Sequence, residues 1–77
     1  MREVANDDLF EDVAYFVVQS GNASINSIQK EFEIGFNRAQ KLVEMLEEYQ
    51  VVSQSQGTKA REVLVSVNEL KTILGHD

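Results

Sequence analysis

No cysteine occurs in these 77 residues, which excludes a disulfide framework and a cysteine-ligated metal site as the staple of a small fold. Stability has to come from burial. Hydrophobic residues make up 43% of the chain, enough for one compact core, although a domain of this size buries only about 60% of its unfolded surface. No apolar run approaches the ~20 residues of a membrane span, and the N-terminus lacks the basic and apolar segments of a leader, so a soluble cytoplasmic chain is expected. The single histidine, His76, lies one residue from the C-terminus, a poor place for a catalytic triad. Gly21, Gly35, Gly57 and Gly75 stand too far apart to form a phosphate-cradling loop. Positive charge is also short: 7 Lys and Arg face 13 Asp and Glu, for a net charge of −6, opposite in sign to a typical nucleic-acid-binding tail. Asp7, Asp8, Glu11 and Asp12 flank the start of an expected helix, where carboxylates complement the N-terminal dipole without any catalytic role. No catalytic residue, metal or cofactor is expected in this chain.

What is present is periodicity. Over 8–20, Leu9, Phe10, Val13, Ala14, Phe16, Val17 and Val18 recur at three- and four-residue spacing, predicting a first helix. Asn6, Asp7 and Asp8 are its candidate N-caps, and Gly21 with Asn22 supplies its exit. Ala23, Ser24 and Ile25 suit a brief extended connector. Asn26 and Gln29 have the spacing of a capping box, which predicts a second helix over about 27–32 with Ile28 and Phe32 inward. Gly35 breaks the pattern. Phe36, Ala39, Leu42, Val43, Leu46 and Tyr49 then form the apolar stripe of a third helix of about fourteen residues. Val51, Val52 and Ser53, a polar stretch around Gly57, and the β-branched run over 62–67 predict a hairpin. Leu70, Ile73 and Leu74 predict a terminal turn or a short, frayed helix over 67–74.

Three helices plus a two-stranded β-hairpin wing make a mainly α member of the α+β class, a winged helix-turn-helix. Its third helix would be the recognition helix. Winged helices also serve as protein-interaction modules, so the architecture alone leaves both functions open. Helical spacing puts Asn37, Lys41 and Glu44 on one face with Arg38 beside them. An amide can read adenine, an ammonium can donate to guanine O6 and N7, and a carboxylate can accept from the cytosine amino group. The same face also reads as an ordinary solvated surface with a Lys41–Glu44 ion pair, a common arrangement on helices. Lys59 and Arg61 would meet phosphates from a wing, or simply solubilise a loop and protect an edge strand. Over 36–66 the charges balance, whereas 3–12 holds five acids and no base. The acidity therefore belongs to the first helix, away from the expected contact surface.

The run SIQKEFEIGFNRAQKLVE over 27–44 closely resembles the C-terminal gamma domain of the FtsK/SpoIIIE DNA translocases, whose pattern there is roughly LQRRFRIGYNRAARLID. The run GTKAREVLV over 57–65 is similar to that family's GSKPREVLV, and Asp8-Leu9-Phe10 and Ala23-Ser24-Ile25 also match. The resemblance spans about 7–67, taken as one winged-helix domain with 1–6 and 68–77 as terminal segments. It implies a sequence-directed, double-stranded DNA-binding module of a septal, membrane-associated translocase, reading short G-rich sequences that set the direction of chromosome translocation. It also implies a hexameric ATP-driven motor elsewhere in the parent and, in some members, contact with a Xer-type recombinase. A protein-interaction role, docking a recombinase or the motor, is the competing reading. The isolated domain would be monomeric, non-catalytic and without membrane contact. By position, the base-reading residues fall on Asn37, Lys41 and Glu44, with Arg38, Lys59, Arg61 and Lys30 as backbone contacts.

Three departures from the family pattern carry consequences. Lys30, Glu31 and Glu33 stand where arginines are common, so phosphate affinity should fall. Lys41 replaces a usual Arg, exchanging a planar fork for a mobile ammonium. Ala60 replaces a frequent Pro and leaves the wing less ordered before binding.

Overall fold

Four helices follow one another in the computed structural model, which describes residues 8–54 and 61–75. They are α1 (Phe10–Ser20), α2 (Ile25–Phe32), α3 (Phe36–Glu48) and α4 (Val67–Leu74). α1 starts later than its acidic flank predicts: Leu9 is the N-cap and makes no side-chain cap bond, so Asp8 does not cap it. Asn6 and Asp7 lie outside the described residues. Burial of Phe10, 1% exposed, fixes this start rather than capping. The exit is as expected, with Gly21 left-handed at φ 71° and its N–H donating to the Val17 carbonyl at 2.9 Å.

α2 begins two residues before the position its Asn26–Gln29 spacing predicts. Its N-cap is Ser24, in extended conformation, whose hydroxyl accepts from the Ser27 N–H. Asn22 decides this choice. Its Oδ1 accepts from the Ser24 N–H at 2.8 Å and its Nδ2 donates to the Ser27 hydroxyl at 3.1 Å, which seats Ser24 at the cap and leaves Asn26 inside the first turn. The expected extended connector shrinks accordingly, because Ile25 is already helical.

The turn at 33–35 joins α2 to α3 through Glu33, which is left-handed at φ 54° and ψ 49°. An L-residue there carries a penalty of roughly 1–2 kcal/mol that glycine avoids. Glu33→Gly is therefore expected to raise stability by about 0.5–1 kcal/mol and Glu33→Val to lower it by about as much, read as thermal midpoints several degrees apart.

α3 buries Ala39, Leu42, Val43 and Leu46 completely, as its stripe predicts. Phe36 departs from that stripe and is 53% exposed, because it stands at the very start of the helix. The buried face meets Phe10, Val13, Ala14 and Val17 of α1, Ile28 of α2, and Val51 and Val52 beyond the helix in one core. Two aromatic pairs tie its edges: Phe10 with Tyr49 at 5.3 Å between centroids, and Phe16 edge-on to Phe32 at 5.7 Å.

The predicted hairpin is reduced, among the described residues, to one antiparallel bridge between Val52 and Val63. Ser53 N–H donates to the Glu62 carbonyl and Leu64 N–H to the Val51 carbonyl, at 2.9 and 2.8 Å. The Glu62 N–H donates to the Ser53 hydroxyl at 2.9 Å, so a side chain replaces the next bond of the ladder. The expected wing tip, with Gly57 and Lys59, lies outside the described residues. α4 is a capped helix rather than a frayed turn. Ser66 and Glu69 form a reciprocal capping box, Leu70 is fully buried, and the helix packs on α1. Among the described residues, no helix is long and apolar enough to cross a membrane.

Candidate nucleic-acid interface

The amphipathic pattern of α3 turns one side of the helix into the core and leaves the other in solvent. Asn37, Lys41 and Glu44 are all exposed. At 100° per residue they fall within about 60° of arc and span about 10 Å along the axis, a strip compatible with a major groove about 12 Å wide. The structure thus brings together the three residues that spacing singled out as base readers. Glu44 also accepts from Gln40 Nε2 at 3.5 Å, one turn back. Gln40 therefore belongs to the same strip, a partner that its i,i+4 spacing could have revealed.

Arg38 is exposed on the flank of the strip, and Lys30 is exposed on α2. Near them stand the exposed carboxylates Glu31 and Glu33, so the turn region carries both signs of charge. At the start of α3, Gly35 offers no side-chain cap to the first N–H groups, and a Cβ added there would meet nothing within 4 Å. The approach to the helix N-terminus is open.

Arg61 sits differently from a free wing cation. Its guanidinium folds down against α3, with Nη2 3.9 Å from Glu47 Oε1 and its side chain 17% exposed. Its Nη1 is buried with no acceptor among the described residues. Glu47 is the residue that reasoning from sequence missed, because the pair joins positions far apart in the chain. Between them the α3 end and the Val52–Val63 bridge enclose an open groove of about 480 Å³, lined by Glu47, Gln50, Ser53 and Leu64 among others. The guanidinium is mostly withdrawn from water, so losing its carboxylate should be felt above the 0–1 kcal/mol typical of exposed pairs. Glu47→Ala is expected to destabilise the fold by about 1–2 kcal/mol, and the loss should largely vanish in an Arg61→Met background, as urea unfolding of the four proteins would measure.

The sequence profile of the Ftsk gamma domain matches residues 4–66. The chain belongs to that family. This gamma domain is 42% identical over 64 residues to the DNA translocase SftA of Bacillus subtilis (strain 168), a match covering 83% of the chain and 7% of the translocase. It is 42% identical over 67 residues to the DNA translocase FtsK of Staphylococcus aureus (strain Mu50), covering 86% and 8% respectively. Against the DNA translocase FtsK of Pasteurella multocida (strain Pm70), identity is 48% over 58 residues, covering 75% and 6%. The chain thus spans less than a tenth of the length of each of these translocases. The gamma-domain match includes α1, α2, α3 and the strand bridge, and so the whole of the exposed α3 strip.

Proposed function

We propose that this gamma domain is a sequence-directed, double-stranded DNA-binding module of a DNA translocase, a winged helix-turn-helix whose α3 enters the major groove. The observation that carries the reading is the α3 strip: an amide, an ammonium and a carboxylate, all solvent-facing, on one side of a helix anchored by a fully buried opposite side. Asn37 pairs with adenine, Lys41 donates to guanine, and Glu44 accepts from a cytosine amino group. Arg38, Lys30 and Lys59 contact phosphates, and Arg61 joins them by exchanging Glu47 for a phosphate oxygen. In the full-length protein, short G-rich sequences read in this way set the direction in which an ATP-driven motor moves DNA in chromosome segregation at cell division. The motor, in another part of the parent, supplies the catalysis.

The net charge of −6 favours weak binding by one copy. Several copies linked on one hexameric motor raise the effective concentration and recover affinity. The same acidity, with Glu31 and Glu33 beside the turn, supports a second reading, in which the domain docks a recombinase or the motor through a protein surface.

A salt series of fluorescence-anisotropy titrations separates the two. An asymmetric G-rich duplex and its composition-matched shuffle are each titrated with the domain and with a covalently linked trimer. Reading of sequence predicts tighter binding to the first duplex and a log–log salt slope of about −2.7 to −4.5, for three to five phosphates at about 0.9 each. Equal or absent binding by the trimer at low salt would favour the docking role.

A further inference from the structure

Three of the four phenylalanines serve the fold. Phe10 is buried, and Phe16 and Phe32 pack edge to face. Phe36 does not follow them: it stands first in α3, 53% exposed. An isolated exposed apolar side chain is ordinary on a protein surface, so its neighbours decide whether it has a use. Gly35 before it leaves the approach open, and Asn37, the amide suited to adenine, follows it. Leu64, the other exposed large apolar residue among the described residues, has no such neighbours beside the Val52–Val63 bridge.

We infer that Phe36 is a specificity-determining residue that packs on the 5-methyl group of a thymine in the major groove, beside the adenine read by Asn37. The inference rests on the DNA-binding reading above. The chemistry of an A·T pair supports it: the major-groove edge sets the N6 and N7 of adenine beside the one apolar group that any base presents there, the thymine methyl. An amide and a ring on consecutive residues at the start of a recognition helix, the end that reaches base edges, match those two halves.

The test replaces each thymine of the preferred duplex, one at a time, with deoxyuridine. This keeps every hydrogen-bonding group and removes only the methyl. One substitution is expected to weaken binding of the unaltered domain about fourfold, the share of one buried methyl. Phe36→Ala should bind the thymine and deoxyuridine duplexes equally, and Phe36→Leu should retain part of the discrimination. Unchanged binding of every deoxyuridine duplex, while preference over the shuffle persists, overturns the role of Phe36 and leaves the DNA-binding reading standing. A preferred site without an A·T pair does the same. Loss of all preference for the parent duplex over its shuffle removes the DNA-reading function itself, and Phe36 with it.

Discussion

Leu70→Ala is expected to lower the unfolding free energy by about 2–5 kcal/mol, the usual range for emptying a fully buried leucine site. For a domain of this length the total is about 4–12 kcal/mol, at ~0.05–0.15 per residue, so the variant should be partly unfolded at physiological temperature. The size of the effect follows from where α4 lies: Leu70 is fully buried in the common core and its helix packs on α1. Urea unfolding followed by circular dichroism measures it. Ser66→Ala should cost about 1 kcal/mol by removing the cap. Were α4 a detachable tail, both substitutions would fall within about 0.5 kcal/mol of the parent, as surface changes do.

Asn37→Ala and Lys41→Ala are each expected to weaken binding to the preferred duplex by about 1–3 kcal/mol, roughly 5- to 150-fold. Their effects should differ in kind. Asn37→Ala removes a neutral reader and relaxes discrimination at one base pair, leaving the salt slope unchanged, whereas Lys41→Ala also removes a charge from the field around the DNA. Lys41→Arg should sharpen guanine discrimination by restoring a bidentate fork. Both side chains are exposed, so stability should stay within about 0.5 kcal/mol, and a specificity change cannot be attributed to unfolding. Anisotropy against the preferred duplex and single-base variants measures all three.

The helical part of the fold was legible because burial and period coincide. α3 carries its core face at Ala39, Leu42, Val43 and Leu46, and the same arithmetic leaves Asn37, Lys41 and Glu44 outward. Helix ends were less legible. Asn26 and Gln29 have a capping-box spacing, yet Ser24 caps α2 because Asn22, from the preceding turn, holds it there; spacing alone cannot rank two competing caps. At α4 the signal was present, since Ser66 and Glu69 have the same three-residue offset and do form the box. Among the described residues the expected hairpin is one bridge: β-branched composition specifies extended backbone without saying which ladder bonds a side chain such as Ser53 will displace. Glu47 and Arg61 lay beyond reach for another reason. Their pairing depends on how the chain returns after α3, and no local pattern encodes it. Phe36 counted as core by period and proved exposed, because the stripe of a helix is buried only where another element covers it.

On the reading proposed above, the exposed strip of α3 meets DNA. Amide chemical shifts of the isotope-labelled domain, followed by NMR while the G-rich duplex is titrated in, test it residue by residue. The largest perturbations are expected over 35–44, with smaller ones at Lys30 and Arg61 and none along α4. Perturbations confined to α1, or to the groove around Gln50 and Leu64, with α3 silent at saturating duplex, would contradict it.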